Sequence, residues 1–267
     1  MKASLIQMNS QGDKAANVAA AEQLIEKAVA EEKPDLVVLP ELFAYLGVDP
    51  AQIHASGETF PDGDTYQRMS KLAARLKVTI HAGSVVERRG NRFYNSTVVF
   101  GPEGQELARY SKIHLFDVDV PGGASFRESD TISRGDEVVT YKLGDRTIGC
   151  AICYDLRFPE LFRALRDKGA DVIVLPAAFT LQTGKDHWEP LVRARAIETQ
   201  TYFLACGQTG FFADGKKANW GHSMIVDPWG HVVAQASDGV GTTSARFDFK
   251  YLDTVRGQIP VANHHVL

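Results

Sequence analysis

One apolar stretch occurs twice in this chain, and the repetition limits the possible folds more than any other feature. Pro34-Asp35-Leu36-Val37-Val38-Leu39-Pro40-Glu41-Leu42-Phe43 resembles Ala170-Asp171-Val172-Ile173-Val174-Leu175-Pro176-Ala177-Ala178-Phe179, 136 positions later. Thr97-Val98-Val99-Phe100-Gly101-Pro102-Glu103-Gly104 likewise resembles Ser223-Met224-Ile225-Val226-Asp227-Pro228-Trp229-Gly230, 126 positions later. The first pair runs apolar without alternation, as a strand covered on both faces must. The second reads as strand, Pro-x-Gly turn, strand. The shared Pro and Gly positions argue against a chance likeness of apolar strands. The period is too long and the copies too few for a solenoid. Two similar halves, each mixing buried strands with amphipathic helices, predict two sheets packed together with helices outside.

The connecting segments agree. Residues 14–32 place Val18, Ala21, Leu24, Ile25, Ala28 and Val29 at helical spacing, with Pro34-Asp35 as a stop signal. A second helix is predicted over Asp64 to Leu76, carrying Tyr66, Met69, Leu72, Ala73 and Leu76. Strands are expected at residues 5–7, 36–39 and 78–82, with alternating segments at 84–87 and 96–100. Across 267 residues, 29 Lys+Arg face 33 Asp+Glu, a net charge of −4. With the two signs intermixed, there is no basic footprint for nucleic acid or an anionic membrane. Apolar runs such as 172–179 fall far short of the roughly 20 residues that span a bilayer, and the N-terminal residues lack a secretory pattern. Three cysteines make no disulfide framework, so a reducing cytoplasm is the expected location.

One of those cysteines sits in the most informative stretch. Residues 148–152 read as a short buried strand, and an amphipathic helix begins at Pro159 and stops at Gly169. Cys153 lies where the strand hands over to the helix, a position at which a nucleophile can be held on a sharp turn. Cys150-x-x-Cys153 could instead be a redox pair or half a zinc site. Odd spacing in a strand sends the two side chains to opposite faces, and Cys206 has no nearby His at ligand spacing. Cys150 and Cys206 read as buried and inert.

A free thiol is mostly protonated at neutral pH, so a nucleophilic Cys153 needs a base or a nearby cation. Glu41 directly follows the buried run 36–39, at a strand end, where ligands bind in α/β sheets and where an unpartnered charge is seldom tolerated. Its counterpart in the repeat is Ala177, so the scaffold does not need the carboxylate. His114, His187 and His222 are competing bases. Lys112 ends the 97–111 hairpin before a turn expected around Pro121-Gly122-Gly123; taken alone, it reads as a solvated surface lysine.

Three segments then occur in order: Pro40-Glu41-Leu42-Phe43, Tyr110-Ser111-Lys112-Ile113-His114-Leu115-Phe116-Asp117 and Cys153-Tyr154-Asp155-Leu156-Arg157-Phe158-Pro159-Glu160. With residues 184–189, 193–199 and 221–230, this ordered set resembles the nitrilase, or carbon–nitrogen hydrolase, superfamily over essentially the whole chain. The resemblance implies a single domain over residues 1–267, folded as a four-layer α-β-β-α sandwich with an internal pseudo-twofold duplication. It also implies a catalytic set of Glu41, Lys112 and Cys153, with Glu128 matching a second family glutamate. It implies a homodimer or higher homo-oligomer, and no metal or organic cofactor.

Cys153-Tyr154-Asp155 resembles the amidase branches, where true nitrilases carry Cys-Trp-Glu. The surrounding text is most similar to deaminated-glutathione amidases. The ω-amidases of 2-oxoglutaramate or 2-oxosuccinamate are the near alternative, and a broader aliphatic amidase or nitrilase a more distant one. The implied reaction takes a small carboxylate-bearing amide to acid plus ammonia through a thioester. A cation should then receive the distal carboxylate. Arg157 is the candidate, with an ion pair to Asp155 or Glu160 as its competing role. Tyr154 stands beside the nucleophile. Phe43, Tyr45, Phe116 and Phe179 are candidates for shaping the pocket, with core packing the competing reading for each.

Overall fold

The computed structural model describes residues 1–119 and 125–266; the turn expected around Pro121-Gly122-Gly123 lies outside them. In chain order the first half contains β1 (Lys2–Gln7), α1 (Lys14–Glu32), β2 (Leu36–Val38), α2 (Pro50–Ser56), α3 (Asp64–Leu76), β3 (Thr79–His81), β4 (Val85–Arg89), β5 (Arg92–Phe100) and β6 (Glu106–Ser111). A small hairpin, β7 (Asp117–Asp119) with β8 (Ser125–Arg127), follows. The second half contains β9 (Thr140–Leu143), β10 (Arg146–Cys150), α4 (Pro159–Asp167), β11 (Val172–Ala177), α5 (Leu181–Thr199) and β12 (Tyr202–Gly207). A hairpin of β13 (Thr209–Phe212) and β14 (Lys217–Trp220) precedes β15 (Met224–Val226), β16 (Val232–Gln235), β17 (Gly241–Arg246) and α6 (Phe249–Gln258).

The strands assemble into two large sheets with matching order. The first runs β17-β1-β2-β3-β5-β4, with β6 also on β5; the second runs β16-β15-β12-β11-β10-β9. In each, three consecutive strands are parallel (β1, β2, β3 and β10, β11, β12), flanked by antiparallel neighbours. The crossovers match as well: α1 and α3 in the first half, α4 and α5 in the second. The repeated segments therefore occupy equivalent strands, β2 with β11 and β5 with β15, and the fold is the expected α-β-β-α sandwich.

Burial explains the unbroken apolar runs. Leu36 and Val38 join the core shared with the second sheet, whereas Val37 and Leu39 pack under Val18, Ile25, Met69 and Leu72 of α1 and α3. Successive side chains of a strand point to opposite faces, and both faces here are covered. Each such side chain contributes about 2 kcal/mol by leaving water. At the centre, the Cys206 thiol reaches the carbonyls of Ile6 (3.2 Å) and Val38 (3.3 Å) on the facing sheet. α1 starts where the Asp13 carboxylate accepts from the Ala16 N–H and ends at a left-handed Lys33. α5 runs through Pro190 and, like α2, lies where the hydrophobic spacing gave no helix.

Candidate active site

Three of the parallel strands, β2, β10 and β11, end at the site, and the segments just after them supply Glu41, Cys153 and the Ala178 N–H. After β2 the chain turns sharply at Glu41-Leu42, with Leu42 at φ +52°. Ser84 clamps the turn: its Oγ accepts from the Leu42 N–H (2.9 Å), its N–H donates to the Pro40 carbonyl, and its own carbonyl accepts from the Phe43 N–H. Gly83, at φ +45°, lies so close that a Cβ there would stand 2.0 Å from the Pro40 oxygen. Glu41 is thereby fixed in the interior, 3 % exposed.

After β10, Cys153 opens a short 3₁₀ turn (Cys153–Arg157) at φ +46°, a strained conformation for a residue with a Cβ. Asp155 over-determines it. Its fully buried carboxylate accepts from the Ile152 N–H (2.8 Å), the Tyr110 hydroxyl (2.6 Å) and the His114 N–H (3.1 Å). Lys112 follows β6. Its backbone is held by the Asn95 carbonyl and the Gly135 N–H, and its side chain is 2 % exposed. Glu128 comes from a second 3₁₀ turn, Glu128–Asp130.

These groups form one network. Lys112 Nζ donates to Glu41 Oε1 (2.9 Å) and Glu128 Oε2 (2.8 Å). Asn95 Nδ2 bridges the same two carboxylates, at 2.8 Å from Glu41 and 3.3 Å from Glu128. The Ala178 N–H, just past β11, donates to Glu41 Oε2 (2.7 Å), and the Phe116 N–H to Glu128 Oε2 (2.7 Å). Gln208 Nε2 holds the Glu41 carbonyl (3.0 Å). Cys153 lies within electrostatic reach of both the Glu41 carboxylate and the Lys112 ammonium.

Burial alone would strip Lys112 of its proton, but the Glu128 and Glu41 charges outweigh it and hold its pKa well above the ordinary lysine value. For Cys153, burial and the Glu41 charge push the pKa well up, with Lys112 offsetting part of the rise. At neutral pH Cys153 therefore rests as a thiol and Lys112 as an ammonium. For the sulfur to attack, a base must first take the thiol proton, and Glu41 is the carboxylate placed to do so.

Above this floor opens a pocket of about 1090 Å³. Glu41, Lys112, Glu128 and Cys153 all reach it, as do Tyr154, Arg157, Phe116 and Phe179. Phe43 and Tyr45 do not, among the described residues. Leu42 and Leu46 beside them line the pocket, but Phe43 is fully buried in the α1–α3 core, and Tyr45 donates its hydroxyl to Gln52 (2.9 Å). The competing bases lie off the pocket wall: His114 stacks on Phe158 and contacts Asp155, His187 meets Arg157, and His222 faces Asp238. Arg157 pairs with neither Asp155 nor Glu160 among the described residues; it lies over the rings of Phe179 (5.3 Å) and Tyr154 (5.9 Å). Asn95, Gln208 and the Ala178 N–H were absent from the sequence reading. An Asn near a β-rich segment is a weak signal of a site, since strands disfavour it.

The carbon–nitrogen hydrolase family model matches residues 2–257. The chain belongs to the carbon–nitrogen hydrolase family. This hydrolase is 41 % identical to the deaminated glutathione amidase of Synechocystis sp., over 99 % of this chain and 97 % of that one. It is 39 % identical to omega-amidase NIT2 of Xenopus tropicalis, over 97 % and 92 %. Among solved structures, Nit3 of Saccharomyces cerevisiae, a member of branch 10 of the nitrilase superfamily, superposes with a TM-score of 0.89 at 32 % identity. That match covers 98 % of this hydrolase and 94 % of Nit3.

Proposed function

We propose that this hydrolase is an amidase that opens a small, carboxylate-bearing linear amide through a thioester on Cys153. The observation that carries the reading is the convergence on one pocket of the buried Cys153 thiol with Glu41, whose carboxylate holds the Lys112 ammonium. Glu41 takes the thiol proton, and the sulfur attacks the amide carbon. Lys112 and a backbone N–H near Tyr154 stabilise the oxyanion. Glu41 returns the proton to the departing nitrogen, then activates the water that releases the acid. Glu128 positions Lys112 through the bond at Oε2. The whole chain acts as one catalytic domain, in the cytoplasm, as a homodimer or larger homo-oligomer, with no nucleic-acid partner. The free cysteines favour that compartment.

The relatives' names support two substrates, deaminated glutathione first and 2-oxoglutaramate second. The leaving group separates them, and for the first it is not the ammonia expected from the sequence: deaminated glutathione is a secondary amide and releases an amine, whereas 2-oxoglutaramate is a primary amide and releases ammonia. Both should be offered side by side, with amine and ammonia assayed separately. The wild-type enzyme is expected to consume deaminated glutathione faster. Cys153→Ala should lose more than about a thousandfold in rate. Turnover by Cys153→Ala at the wild-type rate would remove the assignment.

A further inference from the structure

Among the cations that line the pocket, one is half-buried and has no task in the proposed chemistry. Lys217, on β14, lies with its Nζ 3.7 Å from the centre of the Phe126 ring. No carboxylate pairs with it among the described residues. Burial alone lowers the pKa of its ammonium, so the charge is held at a desolvation cost that an arriving anion would relieve. Two residues along the same strand, hence on the same face, Asn219 also lines the pocket. It is 4 % exposed, and its side-chain nitrogen has no hydrogen-bond partner. An unmade hydrogen bond at a buried amide in a native structure calls for a ligand or a water.

The support is rigid. β14 pairs with β13, and the Trp220 N–H donates to the Phe179 carbonyl (2.8 Å). From Lys217 a run of rings leads back to the nucleophile: Phe126 meets Phe116 at 5.3 Å between ring centres, and Phe116 meets Tyr154 at 5.1 Å. Arg157 contacts the Tyr154 ring in turn, at 5.9 Å. A chain of ring contacts thus links Lys217 to Arg157, and both cations line the pocket that Cys153 reaches.

We propose that Lys217 and Asn219 form a carboxylate subsite for the far end of the substrate, so that the pocket takes secondary amides anionic at both ends, with Arg157 receiving the other carboxylate. The inference rests on the amidase reading for its purpose, but the subsite can be tested by binding alone. Such a substrate has the chemistry of a dicarboxylic acid joined through an amide to an amino acid or short peptide. A small primary ω-amide has only one charged end and would leave Lys217 and Asn219 empty.

The probes are N-glutarylglycine and N-ethylglutaramate, secondary amides that differ only in the distal carboxylate. With full-length Cys153→Ala, calorimetry should find N-glutarylglycine bound at least about tenfold more tightly, the effect of one charge-assisted hydrogen bond. Adding Lys217→Gln should bring the ratio close to one, whereas Lys217→Arg should keep most of it. Asn219→Asp should reverse the preference by repulsion, a result that lost packing would not give. Equal affinity in the Cys153→Ala background, or a ratio unmoved by Lys217→Gln and Asn219→Asp, overturns the proposal. If the ratio behaves as expected while the wild-type enzyme hydrolyses neither probe nor deaminated glutathione, the subsite stands and the hydrolytic reading falls.

Discussion

The two copies of the repeated segment end in the same place and do different things there. In the first copy, the strand β2 runs out to Glu41, a carboxylate buried against Lys112 and Asn95. In the second, β11 ends at Ala177, and the next residue gives only its backbone N–H, to that same carboxylate. The scaffold is doubled but the chemistry is not: Cys153 follows β10, while β1, its counterpart in the other sheet, runs on to a buried Met8. A duplicated sandwich brings two sets of strand ends together, and the site takes Glu41 from one half and Cys153 from the other. The second copy of the segment serves through a peptide N–H, which among substitutions only proline would remove.

That contrast can be broken directly. Glu41→Gln keeps the side-chain shape but removes the proposed base, and amide hydrolysis should fall by about a thousandfold. Lys112 keeps Glu128 as its partner, so thermal stability should hardly move. The reverse change, Ala177→Glu, puts a carboxylate into the fully buried core of the second sheet. It should cost about 3–5 kcal/mol of folding stability, measured by denaturant titration. A stable Ala177→Glu protein would show that the copies are more interchangeable than their burial implies.

A smaller effect is expected at the turn that presents Glu41. Gly83→Ala would force a Cβ against the Pro40 carbonyl at positive φ. It should lower stability by about 2 kcal/mol and activity with it, readable as parallel losses in melting temperature and turnover.

The smallest test sharpens the comparison through acid. In the first half, burial pushes Glu58 and Glu87 up, but their partners together pull both below the usual carboxylate value: Lys14 and Thr65 for Glu58, Arg89, Ser96 and Arg109 for Glu87. Their contribution is complete above the ordinary carboxyl pKa and is lost as pH falls through the lowered folded values. In the second half, burial raises Glu198 despite Arg195; the folded state there takes up its proton first, and acid favours it. Hydrogen exchange near pH 4 should therefore loosen the first half relative to the second. Equal loosening would mean that the halves respond as one unit.

The helices over Lys14–Glu32 and Asp64–Leu76 were legible to the residue because regular apolar spacing and stop signals mark them. α5 was not, since it is charged, carries Pro190 and buries little more than Trp188, Val192 and Ala196 of its apolar residues. The residues at the floor of the pocket were found partly from strand-end burial and partly from resemblance, which alone pointed to Lys112 and Glu128. Nearness in sequence misled at Phe43 and Tyr45, because Leu42 and Leu46 beside them line the pocket while the Phe43 ring packs into the outer core and the Tyr45 hydroxyl goes to Gln52. Asn95 went unseen because the alternating segment was read from Ser96 onward, whereas β5 begins at Arg92.

The Lys112 network has one further consequence. Two carboxylates share a single ammonium while the thiol is neutral, so the floor of the pocket carries a formal charge of −1. Arg157 and Lys217 stand on the walls above it. A molecule with anionic ends is repelled from the bottom and attracted at the sides, so only its uncharged middle can approach the sulfur. The field therefore sorts approach geometries during the encounter, before any hydrogen bond to the amide has formed.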